Sequence, residues 1–247
     1  MKIFNTSDNK FSSCTKCSKI CCVLSTIVIS TIVAIVVNKI MFNKTVESAI
    51  KNNPKAIIDA VEKYYKDEQY RAKENASKKA PEIAKKLEKT NPLIGNPKGS
   101  KVIVEFFDYV CGHCKRQAVE LGKVIKENSD VKVVLADLAI MSQYSLTSAQ
   151  VGIYISLKNP DKLERYYHEL SKLDINSQSV IKKVLNKLGL PENYIDLASK
   201  DKQVEQILQG NFQAAREVGL QGTPALIING KLIGGMVTAN DITAMLK

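Results

Sequence analysis

Lys101-Val-Ile-Val-Glu-Phe-Phe-Asp-Tyr-Val-Cys-Gly-His-Cys114 is the stretch that decides the fold. Its first seven residues are nearly all apolar, the pattern of a strand covered on both faces. After Cys111 the period changes: Ala118, Leu121, Val124 and Ile125 recur on one helical face up to about Asn128. Val131 to Ile140 reads as a second apolar strand. Strand, helix and strand make a βαβ unit, with two cysteines at C-x-x-C spacing where the first strand gives way to the helix.

Working outward, residues 145–217 read as helix throughout, with breaks at Asn159-Pro160, Asp174-Ile-Asn-Ser177 and Gly189-Leu-Pro191. Thr223-Pro-Ala-Leu-Ile-Ile228 and Lys231-Leu-Ile-Gly-Gly235 flank Asn229-Gly230, the signature of a hairpin across a type I′ turn. Asp241 to Leu246 closes as a short helix. The order is βαβ, a helical block, then ββα. Upstream, Asn91 to Ser100 is rich in Pro, Gly and Asn and reads as the linker that opens this domain. Residues 44–90 are helical and rich in Lys and Glu. A narrow apolar stripe (Ile57, Ile58, Val61, Tyr64, Tyr65, Ala72, Ala76) runs along them, and Ala80-Pro81 is expected to interrupt them before Ile83 and Leu87 continue a second short helix. Such a stripe needs a partner, either its own domain or the same helix of another chain.

The C-x-x-C position has chemical consequences. A helix N-terminus presents free N–H groups and a partial positive charge, which favour a thiolate at Cys111. His113 adds a donor that can be cationic. Both effects stabilise the dithiol form and make the disulfide a better oxidant. Cys111 is the expected nucleophile, and Cys114, one turn further in, the resolving thiol. Two other readings stand beside this one. A structural metal half-site would need a second cysteine pair. A purely structural bridge would close a two-residue loop, where the entropic gain is least.

Composition narrows the classes. With 247 residues, 45% hydrophobic and 25% charged, the chain is an ordinary globular protein large enough for one domain and an appendage. Two histidines, His113 and His168, cannot build a His-rich metal centre, and no metal or diffusible cofactor is expected. His168 reads as a helix-surface residue without a role. The net charge of +11 is spread along the sequence as Lys, which fits a solvated surface better than a nucleic-acid site.

The N-terminus carries a targeting signal. Ile20 to Val37 is an apolar run broken only by Ser25, Thr26, Ser30 and Thr31. Eighteen residues at about 1.5 Å each span about 27 Å, close to one hydrocarbon core. Lys2, Lys10, Lys16 and Lys19 precede it against Asp8 alone, which keeps the N-terminus in the cytoplasm. The run lacks a small-x-small cleavage site, so the expectation is an uncleaved signal anchor, with a tail over 1–19 and a span over 20–42; a cleaved signal peptide is the other reading. Cys14, Cys17, Cys21 and Cys22 flank or enter the span and read as lipidation sites, half a metal site or small boundary residues. They would lie across the membrane from Cys111 and Cys114, which excludes a four-cysteine site joining the pairs.

The element order, the run Glu105-Phe-Phe-Asp-Tyr-Val-Cys-Gly-His-Cys114 and Gly222-Thr-Pro224 resemble the DsbA-like family of thioredoxin-fold thiol-disulfide oxidoreductases over about residues 92–247. The resemblance implies an α/β thioredoxin fold with an inserted helical domain over 145–217, preceded by a helical stalk and one transmembrane helix. It implies a cis Pro224 lying against Cys111, with the Thr223 backbone free to pair with a substrate strand. It also implies that Glu105 lies beneath the C-x-x-C and moves protons; burial would raise its pKa toward neutrality, while a Glu on an edge strand would reach water instead.

The function expected from this resemblance is an exported, membrane-anchored thiol-disulfide oxidoreductase acting on folding proteins and recycled by a membrane redox partner. Thr223 before Pro224 and the Gly-His dipeptide resemble the disulfide isomerases, and some family members with a long helical extension are trimeric isomerases. A dithiol oxidase and a non-catalytic surface antigen or adaptor on the same fold are the alternatives.

Overall fold

The computed structural model describes residues 14–247, with side chains described from Val28 onward except at Ala72 and Lys73. Most of the tail expected over 1–19, the thiols of Cys14, Cys17, Cys21 and Cys22, and the place of Ala72 in the stripe therefore lie outside what is described. The chain divides into two compact units, Met1–Asp67 and Glu68–Lys247.

The described residues of the first unit are helical. Helix α1 covers Cys14–Asn52, and α2 starts at Pro54, where a proline is tolerated because its missing N–H would have no intrahelical partner. Val28–Asn52 is the one stretch among the described residues long and apolar enough to cross a membrane, and its side chains are exposed. Ile57, Ile58, Val61, Tyr64 and Tyr65 are exposed too, and the two tyrosine rings meet edge to face at 5.9 Å.

The second unit is built on a five-stranded sheet in the order β1-β3-β2-β4-β5: β1 (Leu93–Gly95), β2 (Lys101–Phe107), β3 (Val131–Asp137), β4 (Ala225–Ile228) and β5 (Lys231–Gly234). β2 and β3 are parallel, joined by α3 (Gly112–Glu127); β1, β4 and β5 are antiparallel to their neighbours. Alternate residues of the central strands point to opposite faces. Ile103, Phe107, Val133 and Leu135 pack toward α3 and the helical block, together with Leu121, Tyr166 and Tyr167. Val104, Phe106, Val134 and Ala136 pack on the other face against Ala80, Ile83 and Leu87 of α2 and Ala214 and Ala215. The helical block consists of α4 (Gln143–Lys158), α5 (Leu163–Ser171), α6 (Gln178–Lys187), α7 (Tyr194–Lys200) and α8 (Lys202–Glu217), and α9 (Ala239–Met245) closes the chain. α8 serves both faces, with Val204, Ile207 and Leu208 in the first cluster and Ala214 and Ala215 in the second.

Four local expectations need correction. The linker over 91–100 contains β1, whose Ile94 is buried; three residues are too few for any periodicity to register. α2 runs unbroken from Pro54 to Thr90 with Pro81 inside it. Burial of Ala80, Ile83 and Leu87 against the sheet offsets the missing hydrogen bond. The second apolar strand ends at Asp137 rather than Ile140, because the N–H groups of Ile140 and Met141 turn to the Asp108 carboxylate instead of a neighbouring strand. His168 is half-buried, with its ring edge-on to Tyr167 at 5.1 Å and close over Gly122 of α3. The turn between β4 and β5 has φ of 48° at Asn229 and 74° at Gly230, and a Cβ at Gly230 would stand 2.9 Å from Cγ of Pro81. Glycine is required there both for the turn and for the approach of α2.

Candidate active site

Cys111 is the N-cap of α3, at the C-terminal end of central strand β2, and the Cys111 and Cys114 sulfurs are free thiols. The link between strand and helix is held by Asp108. Its Oδ1 accepts from the N–H of Val110 at 2.8 Å, and its Oδ2 accepts from Ile140 and Met141 at 2.9 and 3.0 Å. Its backbone carbonyl accepts from the N–H of Cys111 at 3.0 Å, and its own N–H points at Sγ of Cys114 at 3.5 Å. One residue thus fixes both thiols and ties them to the loop after β3.

The Thr223–Pro224 peptide is cis, and the Cys111 thiol donates to the Thr223 carbonyl oxygen at 3.6 Å. Gly235 donates to the carbonyl of Pro224 at 2.9 Å, so the end of the β5 hairpin steadies this segment. Two loops 112 positions apart meet at one sulfur.

The two thiols differ in proton affinity. Burial raises Cys111, but the N–H groups of Cys114 and His113 and the side chains of Cys114 and Thr223 outweigh it and leave the thiol below its ordinary range. Cys114 is raised, first by its deeper burial, with the charge of Glu105 adding to the effect. The asymmetry is what an attacking and a resolving thiol need. His113 contributes through its backbone N–H. Nη2 of Arg116 lies 2.8 Å from Nδ1 of its exposed ring, which brings a guanidinium cation to this helix end.

Glu105 lies on the middle strand of the sheet and is wholly buried, which disposes of the edge-strand reading. Burial raises its pKa to about 8, against the opposing hydrogen bond from the Tyr167 hydroxyl, which reaches Oε2 at 2.7 Å. Phe107, Tyr109, Tyr166 and Tyr167 form an edge-to-face aromatic cluster beside it. Sequence reasoning left Asp108, Tyr109, Tyr167 and Asp137 without roles. Asp108 carried a signal, an acid just before a C-x-x-C, whereas Tyr167 and Asp137 reach the site only through tertiary packing. Among the described residues no group of three or more His, Cys, Asp and Glu side chains is placed to hold a metal ion.

Comparison with known proteins agrees with this geometry. The model of the DSBA-like thioredoxin domain matches residues 102–247. The thiol:disulfide interchange protein DsbA of Escherichia coli K12 is 26% identical over 152 residues, covering 57% of this chain and 69% of that protein. Among solved structures, the thiol-disulfide exchange protein α-DsbA2 from Wolbachia pipientis is 25% identical, with a TM-score of 0.64, covering 70% of this chain and 95% of that one. A linker-deletion variant of ScsC from Proteus mirabilis shares the fold at 21% identity and a TM-score of 0.67, covering 79% and 92%. Sheet, helical block and paired thiols define a thiol-disulfide oxidoreductase of thioredoxin fold. The chain belongs to the DSBA-like thioredoxin domain family.

Proposed function

We propose that this oxidoreductase is exported, anchored by its N-terminal apolar helix with the catalytic domain on the periplasmic side, and acts on folding proteins, with disulfide isomerisation as its main task. The observation that carries the catalytic reading is the pairing of two free thiols of opposite proton affinity at one helix end, the more acidic one against the cis-Pro segment. The Cys111 thiolate attacks one sulfur of a substrate disulfide, and the displaced substrate sulfur leaves as a thiolate. Cys114, having given up its proton to Glu105, then attacks Cys111, releases the second substrate sulfur and leaves the enzyme disulfide. The reverse sequence oxidises a substrate dithiol. Two electrons pass between enzyme and substrate, no metal or diffusible cofactor takes part, and a membrane redox partner resets the pair. The backbone of Thr223, next to Pro224, offers a substrate strand its hydrogen bonds.

The isomerase assignment rests on Thr223, the Gly112-His113 dipeptide and the helical segment before the domain. The exposed stripe of Ile57, Val61, Tyr64 and Tyr65 supports a trimer assembled through residues 44–90. Each such side chain buried gains about 1.5–3 kcal/mol. Three chains would turn several thiols toward one substrate, which suits reshuffling better than simple oxidation. A DsbA-type dithiol oxidase is the second reading, favoured by the DsbA relatives themselves. Paired assays of the full chain decide between them. An isomerase rescues a scrambled protein faster than it oxidises a reduced one; an oxidase does the reverse; a scaffold without catalysis does neither.

A further inference from the structure

A second buried acid lies under the thiols. Asp137 ends β3, and Glu105 lies on the parallel neighbour β2; Glu105 is in register with Leu135 and Phe107 with Asp137. Paired residues of parallel strands point to the same face, so the two carboxyls are diagonal neighbours on the face that carries Phe107 and Leu135. Both are buried, Glu105 at 0% and Asp137 at 2% exposure. Each has one oxygen with no hydrogen-bond partner: Oε1 of Glu105 and Oδ1 of Asp137.

The three acids of the site are provided for differently. Asp108 receives three backbone N–H groups. Glu105 receives a single donor, from Tyr167. Besides burial, the charged groups acting on Asp137 are Glu105 and Asp108, both acidic, opposed only by its own backbone N–H; Tyr109 of the strand-to-helix link, Tyr166 and Tyr167 of α5 and Cys114 of α3 complete the titratable surroundings of the pair. Two unpaired carboxylates without a cation cannot both stay charged in such a place. A protonated carboxyl on Asp137 is a donor, which is what Oε1 of Glu105 lacks.

We propose that Asp137 is a positioning residue for the resolving step: its carboxyl proton is held toward Oε1 of Glu105, so the two acids take up and return the proton of Cys114 as a pair. This rests on the oxidoreductase reading above. In the form that resolves, Glu105 is ionised and the pair holds one proton, on Asp137. Cys114 passes its proton to Glu105 and its thiolate attacks Cys111. The Cys111–Cys114 bond forms, the bond from Cys111 to the substrate sulfur breaks, and the substrate leaves as a thiolate that takes a proton from water. The pair then holds two protons, and the second returns when Cys114 is reduced. Burial and the neighbouring charge of Glu105 raise Asp137 far above an ordinary carboxyl, in keeping with the group that retains its proton.

The test uses the full chain and three variants. The pH dependence of the resolving rate is measured for wild type, Asp137→Leu, Asp137→Asn and Glu105→Gln, and protonated buried carboxyls are followed by infrared difference spectroscopy. Asp137→Leu removes the donor to the Glu105 anion, so its inflection moves up by about one pH unit. Asp137→Asn keeps a donor and restores the inflection, but loses a protonated-carboxyl band. An inflection that stays in place in Asp137→Leu overturns the proposal, as does a protonated-carboxyl band that, recorded above the Glu105 inflection, is undiminished in Asp137→Asn. Should Asp137→Leu not fold, the band in Asp137→Asn decides alone. Failure of the oxidoreductase reading looks different: the wild type itself shows no Cys111-dependent turnover.

Discussion

The hydroxyl of Tyr167 on α5 donates to Oε2 of Glu105 on β2 at 2.7 Å, joining the helical block to the acid beneath the thiols. Among the described residues it is the one side-chain donor to Glu105, and it opposes the rise that burial causes. Tyr167→Phe should therefore raise the Glu105 pKa further and move the resolving-step inflection upward. It should also cost about 1–3 kcal/mol by leaving the buried acid without its donor. A pH–rate profile and urea unfolding read the two effects separately.

Glu105 also sets a stability slope. Its folded pKa of about 8 lies above the unfolded value of 4.5, so between these values the native state holds a proton that the unfolded chain has released. The stabilisation is full below the unfolded value and is lost as pH rises through about 8. Glu105→Gln should flatten that slope and leave the protein more stable than wild type at pH about 8, by at least about 1–2 kcal/mol. Asp137 is raised as well, so part of the slope should remain. Denaturant unfolding at several pH values measures it, and an unchanged slope would show that Glu105 is not the group responsible.

Asp108 should matter more for structure than its size suggests. Asp108→Ala leaves the N–H groups of Val110, Ile140 and Met141 without their acceptor. A loss of about 2–4 kcal/mol is expected, since charge-assisted bonds contribute about 1.5–3 kcal/mol each and water replaces some. Asp108→Asn, with one acceptor oxygen left, should lose less. Unfolding curves of the two variants give the ranking.

How much of this was legible in the sequence follows from where each signal lies. β2, α3 and the hairpin at Asn229-Gly230 announce themselves because their periodicity and turn chemistry are contiguous. β1 does not, because it is three residues held by pairing with β3. Pro81 misled because the burial that sustains its helix comes from the sheet. At the site, Cys111 and Cys114 stand out by residue type and spacing, and Glu105, Thr223 and Pro224 through the family resemblance. Tyr167 and Asp137 do not: Tyr167 meets Glu105 from a helix 62 positions away and Asp137 ends the neighbouring strand, and nothing local marks a tyrosine or a strand-end Asp for that position. The orientation of the His113 ring depended on Arg116 one turn on, a contact the spacing permitted but did not require.

The apolar stripe of the first unit gives an assembly prediction. Full-length protein in detergent should contain three chains by light scattering corrected for bound detergent. Ile57→Asp combined with Val61→Asp should disperse it to single chains while leaving the reactivity of Cys111 unchanged. A single chain in the wild type would refute the trimer. Unchanged isomerase activity in the dispersed variant would separate assembly from function.

The central claim is that Cys111 is the low-pKa nucleophile and Cys114 its protonated partner. Ultraviolet titration of thiolate absorbance on the reduced protein tests it most directly, with wild type, Cys111→Ser and Cys114→Ser in parallel. The account predicts a thiolate that persists below the roughly 8.5 of a free thiol in wild type and in Cys114→Ser, and its loss in Cys111→Ser. A titration at the ordinary thiol value, or an acidic one that survives in Cys111→Ser, would contradict it.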